Sequence, residues 1–400
     1  EDDSTANIRV ISRAIGLDKD GNATTFDSLN YVSIIVKCEK PSVVGDNDKI
    51  TGKPILSWNK VEGADYYEVY KSLYYNGTYS LLGTTTDTIF TDDSANSGYK
   101  YCYKVKAVSK KDYVEDSAFS KVIAQICKLS QPELKVSNFD SGEPKLSWNS
   151  VYRASSYEIY RADSENGEYI LLDTITETSY KDVTTKLGEE YFYKVRALRT
   201  ENESANSEFS IVCNATHILA KPIVNFGPIA ETGKPNISWN KIDGATEYAI
   251  YRKVGVNGEF NLYHTTDKLS FTNYDVEVGT RYYYQVKAIY ADNTAANSAA
   301  SIADYVTCDL PRPTVKITTA TESGKPNISW NKIEGATEYV IYRKIGVDGE
   351  FKYYYATDKL SFTNYDVKVG TKYYYKVKAI YGDNTAANSA FSNTVNITHK

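Results

Sequence analysis

The sequence predicts an all-β fold, a tandem array of small two-sheet sandwiches, and three observations carry that expectation. Tryptophan occurs only at Trp58, Trp148, Trp239 and Trp330, spaced 90, 91 and 91 residues apart, and a fixed period of this kind marks a repeat architecture. Thirty-seven tyrosines and no methionine describe a chain rich in strand formers that does not begin at its own start codon. Apolar and polar residues alternate over short runs such as Tyr66–Ser72 and Tyr373–Tyr381, with Gly, Asn and Asp between them and no sustained 3.6-residue period.

Each repeat reads in the same order. Pro41, Pro132, Pro222 and Pro313 precede the tryptophans by 16 or 17 residues, where an edge strand begins and a missing amide is tolerated. The strand carrying the tryptophan follows, written identically as GKPNISWNK at Gly233–Lys241 and Gly324–Lys332, and loosely at Gly52 and Gly142. A tyrosine stands nine residues on (Tyr67, Tyr157, Tyr248, Tyr339). At eighteen an Asn-Gly or Asp-Gly pair begins (Asn76, Asn166, Asn257, Asp348) and predicts a type I′ hairpin turn. An aromatic at thirty-two (Phe90, Tyr180, Phe271, Phe362) and a tyrosine at forty-three (Tyr101, Tyr191, Tyr282, Tyr373) complete the frame. The run Tyr373 to Ala379 alternates so that Tyr373, Tyr375, Val377 and Ala379 share the core face. Several aromatics in each repeat, each worth about 1.5–3 kcal/mol when buried, sustain a small sandwich without disulfides.

These marks resemble the fibronectin type III domain: a tryptophan in the second strand, an EYxIYR-like third strand, and VGTKYYYKVKAI at Val369–Ile380. The wording is similar to tandem repeats of secreted Gram-positive bacterial proteins. The resemblance implies seven strands in two sheets per repeat, with Tyr101, Tyr191, Tyr282 and Tyr373 bonded back to the loop before them. Complete repeats are expected at 41–130, 131–220, 221–311 and 312–400. Residues 27–38 align without gaps on Asp116–Cys127, and Ile8–Gly16 resembles the strand before it, so 1–40 reads as the last hairpin of a truncated repeat. Gly233–Ala299 and Gly324–Ala390 differ at 12 of 67 positions, the signature of a recent duplication.

The composition narrows function by exclusion. A net charge of −5 with mixed signs offers no basic footprint for nucleic acid, and the longest apolar run, Tyr31–Cys38, is far too short to span a membrane. Three histidines, His217, His264 and His399, stand in no nucleophile spacing, so no catalytic residue, cofactor or metal site is assigned and the chain is read as a non-enzyme. Asp18–Asn22 has a misplaced glycine for a calcium loop and reads as a turn. Of five cysteines, Cys38, Cys127 and Cys308 are placed at one equivalent position at the end of the last strand, which His217 and His399 fill elsewhere. A hairpin symmetric about residues 114 and 115 would set Cys102 opposite Cys127 as a cross-strand disulfide.

The outward residues of the same strands, Tyr251, Tyr283, Tyr342 and Tyr374 among lysines, are the candidate ligand face. They suit either a protein or carbohydrate ligand or plain cross-strand packing. The expected role is a secreted or cell-surface bacterial spacer that presents flanking domains of a longer chain. The alternatives are an adhesin or carbohydrate-binding module using those tyrosines, and accessory repeats of a secreted hydrolase or phage particle.

Overall fold

The computed structural model describes residues 9–17, 19–21, 23–31, 36–382 and 384–400, with the spans 9–17 and 23–31 described by backbone alone. Ile8 and residues 32–35, which belong to the expected truncated repeat, and Asp383 lie outside the described residues. Arg9–Leu17 pairs antiparallel with Ala23–Tyr31, and Gly21 in the turn between them takes φ +78°. Val36–Lys37 then runs parallel to Val114–Glu115.

Around each tryptophan the chain builds the same pair of sheets. In the last repeat Val315–Thr319, Pro326–Trp330 and Ser361–Thr363 form a three-stranded sheet with the tryptophan strand in the centre. Lys352–Thr357, Glu338–Ile345, Lys372–Ile380 and Val395–Thr398 form the four-stranded sheet in that order. The order first–second–fifth against fourth–third–sixth–seventh recurs in all four repeats. It is the fibronectin type III arrangement, so the all-β class read from the sequence holds. Among the described residues the helical pieces are single 3-10 turns, Glu203–Ala205, Thr294–Ala296 and Thr385–Ala387, in the connection between sixth and seventh strands.

Two compact units divide the chain. One contains the first repeat and most of the second. The other contains the third and fourth repeats and one end of the second, including Ser137–Lys145 and Lys181–Glu190.

Period-two alternation fills the cores. Along Lys372–Ile380 the residues Tyr373, Tyr375, Val377 and Ala379 are buried, and they pack on Ile328 and Trp330 from the other sheet. Every tryptophan lies against the tyrosine nine residues later, with ring centroids 5.3–5.5 Å apart. That tyrosine has a second task. Its hydroxyl accepts the backbone N–H of Val61, Val151, Ile242 or Ile333 at 2.8–2.9 Å, so one side chain both fills the core and fastens the loop between second and third strands. The tyrosine at forty-three accepts from the backbone N–H five residues earlier: Asn96 to Tyr101, Glu277 to Tyr282 and Lys368 to Tyr373, at 2.9–3.1 Å.

The turn chemistry departs from expectation. Neither the Asn or Asp nor the Gly of the pairs at 76, 166, 257 and 348 has positive φ, so the turn is not type I′. The hairpin is longer, running from Val254 to Asn261 and from Ile345 to Lys352, and Gly255 and Gly346 supply the left-handed residues at φ +67° and +72°. Gly258 and Gly349 are present for closeness instead, since a Cβ there would stand 2.5 Å from the Val254 carbonyl oxygen and 2.2 Å from that of Ile345.

A serine pair with no counterpart in the sequence reading completes each four-stranded sheet. Before the seventh strand begins, Ser389 and Ser392 accept the N–H groups of Ala379 and Val377, both at 2.9 Å, while their own amides donate to the carbonyls of the same two residues. Ser117 and Ser120, Ser207 and Ser210, and Ser298 and Ser301 repeat the device, and all eight serines are buried. Two hydroxyls thus replace a stretch of ladder that the irregular connection cannot supply.

Candidate functional site

The four tyrosines singled out as a ligand face lie on the outward side of the four-stranded sheets, half-buried. In the fourth repeat Tyr342 meets Phe391 edge to face at 4.9 Å, and Lys376 lies over Phe391 beside this pair, its ammonium 3.7 Å from the Phe391 centroid, 4.5 Å from Phe351 and 5.8 Å from Tyr342. Tyr374 is covered by Lys344 at 4.6 Å and Lys372 at 5.3 Å. The first and second repeats build the same box. Lys104 lies among Phe119, Tyr79 and Tyr70, and Lys194 among Tyr169, Phe209 and Tyr160. A lysine stem laid across rings with its charge over their faces is a self-contained arrangement.

The third repeat departs from this pattern. Gln285 replaces the lysine and Ala300 replaces the phenylalanine. Gln285 donates to the Ser301 carbonyl at 3.3 Å, and among the described residues the cation over Tyr251 is Lys287 at 5.5 Å. Tyr283 stacks obliquely on Tyr305 at 5.3 Å with Lys253 at 4.7 Å.

The cysteine expectations are corrected in two ways. The sixth and seventh strands of the first repeat pair with Cys102 opposite Ala124, so Cys127 lies beyond the register that a cross-strand disulfide requires. The two also face apart. Cys127 packs in the core with Tyr101 and Tyr103, whereas Cys102 alternates to the other face, at the position of Tyr283 and Tyr374, and all five thiols are free. Burial pushes the Cys127 and Cys308 thiols above their ordinary range, which keeps them protonated and unreactive. Cys38, in turn, is not the equivalent of Cys127. Its N–H donates to the Glu115 carbonyl at 2.9 Å just as that of Leu129 donates to Ala205, and its place in the frame is that of Leu129, Leu219 and Leu310. His217 stays with Cys127, Cys308 and His399, and its Nδ1 lies 3.0 Å from Thr185 Oγ1. Among the described residues no group of three or more His, Cys, Asp or Glu side chains gathers.

A polar group under each sixth strand varies by repeat. In the first, buried Asp92 accepts from Tyr103 at 2.7 Å and Ser94 at 2.6 Å and pairs with Lys71 at 2.7 Å. Burial pushes its carboxyl up, but these hydrogen bonds and the ammonium outweigh it and hold the group below the usual carboxylate range. In the third and fourth repeats Asn273 and Asn364 take the place, each donating to a buried tyrosine, Tyr284 at 2.8 Å and Tyr375 at 2.6 Å. Burial raises both phenols, so neither serves as an acid or base near neutral pH.

Three linkers are built alike. Leu129, Leu219 and Leu310 are 0–2% exposed, and each belongs to the core of the repeat it leads into. Their amides donate to the carbonyls of Ala205, Ala296 and Ala387, which close the 3-10 turns of that next repeat, at 2.8–2.9 Å. The residue before each leucine donates to the glycine that opens the tryptophan strand of the previous repeat: Lys128 to Gly52, Ile218 to Gly142 and Asp309 to Gly233, at 2.8–3.1 Å. One short segment is therefore fixed at both ends, in one repeat by hydrogen bonding and in the next by burial.

No protein-family model matches the chain, and no curated protein does. Among solved structures it is similar to the FN1–FN3 domains of chicken CNTN1, at 14% identity over 68% of this chain and 98% of that one, with a TM-score of 0.25. It is also similar to a two fibronectin type-III domain segment from chicken tenascin, at 18% identity over 44% of this chain and 98% of that one, with a TM-score of 0.25.

Proposed function

We propose that the chain is a non-catalytic repeat array that acts as a spacer, presenting flanking domains of a longer protein at or beyond a bacterial cell surface. The observation that carries this reading is the linker built three times over: a buried leucine, its amide on an alanine carbonyl, and a preceding amide on a glycine carbonyl. A linker tied down on both sides limits how freely one repeat turns on its neighbour, which is what a spacer needs and a string of independent binding modules does not. The lysine-filled aromatic boxes of the first, second and fourth repeats support the same reading, because those rings already have their cation.

Screening the intact chain against glycans and extracellular matrix proteins, beside a Tyr342→Ser, Tyr374→Ser variant, tests it. A spacer shows no saturable binding in either form. Binding at micromolar affinity or tighter that disappears in the variant, with the fold retained, would replace the spacer by an adhesin.

A further inference from the structure

The three linkers cover one patch on the repeat before them; its two glycines are constant, and the residue before the second is Ser97, Leu187 or Val278. The glycine opening the tryptophan strand has positive φ and lies directly under the linker backbone: a Cβ would stand 2.5 Å from the Lys128 oxygen at Gly52, 2.0 Å from that of Ile218 at Gly142 and 1.9 Å from that of Asp309 at Gly233. A second glycine, just before the sixth strand, lies under the next repeat's connection between sixth and seventh strands. Gly98 meets Arg199, Gly188 meets Tyr290 and Asn293, and Gly279 meets Tyr381 and Asn384. The carbonyls of Gly188 and Gly279 accept from the side-chain amides of Asn293 and Asn384 at 2.8 and 3.2 Å. Beside them Leu187 and Val278 are packed against the core of the repeat that follows.

On the fourth repeat Gly324, Val369 and Gly370 match Gly233, Val278 and Gly279 of the third, and no neighbour among the described residues covers the two glycines. Gly324 and Gly370 keep φ +62° and +79°, yet a Cβ at either would meet no atom within 4 Å. Val369, the equivalent of Leu187 and Val278, is 76% exposed. The difference is local to the patch, since nearby Tyr274 and Tyr365 are alike in exposure at 70% and 69%. The positive φ of Gly324 and Gly370 already serves their own turns, as at Gly255 and Gly346; what the fourth repeat shares with the covered faces is the combination of both glycines at these two places with an apolar residue beside the second.

We propose that the face formed by Gly324, Val369 and Gly370 is a docking face for one further sandwich domain of this same type, whose own connection between sixth and seventh strands seats on Gly370 while a linker passes over Gly324. The chemistry that recognises it is read from the covered faces. A side-chain amide reaches the Gly370 carbonyl, an aromatic ring lies over the same glycine, and a linker residue donates to the Gly324 carbonyl with a leucine following it. The docking holds whether or not the array acts as a spacer, because it concerns only which surface a neighbour covers.

The test lengthens the chain by a second copy of residues 310–400 directly after Lys400, which puts Lys400 where Asp309 stands and a leucine after it. Hydrogen exchange is followed over residues 366–371 and over the added leucine. Docking slows exchange over residues 366–371 at least tenfold relative to the 400-residue chain and protects the amide of the added leucine. Gly324→Ala abolishes the slowing in the lengthened chain while leaving the original chain unchanged beyond the φ strain both share, and Val369→Asp abolishes it independently. Exchange that is unaltered by lengthening, or a Gly324→Ala effect of equal size in both chains, overturns the proposal. Sedimentation of the 400-residue chain supplies a second arm: self-association that Val369→Asp removes would put a second copy of this chain on the face and overturn the tandem occupant.

Discussion

Replacing Leu310 by alanine tests the linker architecture at its most specific point. Leu310 is fully buried and lies in one cluster with Val315, Ile328, Trp330, Tyr339 and Tyr375, all residues of the fourth repeat, although it stands before that repeat's first strand. Truncating a buried leucine removes its transfer free energy and leaves a cavity, a loss of about 2–5 kcal/mol. The hydrogen bond from its N–H to the Ala387 carbonyl is a backbone contact and survives, so the loss measures packing alone. Overlapping unfolding of four similar repeats makes a single melt uninformative. Native-state hydrogen exchange by mass spectrometry resolves them, with Lys372–Ile380 reporting on the fourth repeat and Arg281–Ile289 on the third. At about 1.4 kcal/mol per factor of ten, protection of Lys372–Ile380 should fall by about 30-fold or more while Arg281–Ile289 changes little. A fall of less than about threefold, or an equal fall in both strands, would show that the leucine is an ordinary linker residue and refute the reasoning.

Other perturbations read other parts of the fold. Ser389→Ala leaves the Ala379 amide buried without its hydroxyl acceptor and should destabilise the fourth repeat by about 1–3 kcal/mol, checked by the same exchange measurement; Ser389→Thr, which keeps the hydroxyl, should cost less. Asp92 has a depressed folded pKa, so its stabilisation is complete above the unfolded value of about 3.9 and is lost as pH falls through the folded one. Acid titration should therefore weaken the first repeat more steeply than the third and fourth, whose Asn273 and Asn364 do not titrate, and Asp92→Asn should flatten that slope while lowering stability at pH 7 by leaving Lys71 without its counter-ion. Followed by exchange in Lys100–Val108, an equal acid response in all repeats would dismiss the assigned role.

The features legible in the sequence were those written in strict period. Four tryptophans and the tyrosines at fixed offsets marked the strands, and alternation in runs such as Tyr373 to Ala379 marked the buried face. The errors fall where the period is broken. The Asn-Gly pairs looked like type I′ turns, but the hairpin is longer, and the left-handed residue moved to Gly255 and Gly346 while the second glycine served close packing. A symmetric closure of the strands would pair Cys102 with Cys127; with the serine pair inserted before the seventh strand, the ladder sets Cys102 against Ala124. A gapless alignment put Cys38 on Cys127, whereas the amide it donates to Glu115 puts it on the leucine position. The leucines carry no signal in the sequence, because a single apolar residue between a strand and a proline has no periodicity. The outward tyrosines alternate with the buried ones as the period dictates, but Lys344 and Lys376 reach them from the neighbouring strand and Phe391 from the connection, which adjacency in sequence does not reveal.

The spacer reading is tested most directly by removing one repeat. Excision of 221–311 joins Ala220 to Arg312 and restores the leucine, two residues, proline spacing, with Leu219 replacing Leu310 ahead of Pro313. A nine-residue strand such as Lys372–Ile380 spans about 30 Å at roughly 3.3 Å per residue. Small-angle scattering should show the maximum dimension falling by about that amount, with the remaining repeats folded and the linker amides still protected. A maximum dimension that stays the same, or a broad distance distribution insensitive to the excision, would contradict an array whose repeats set its reach.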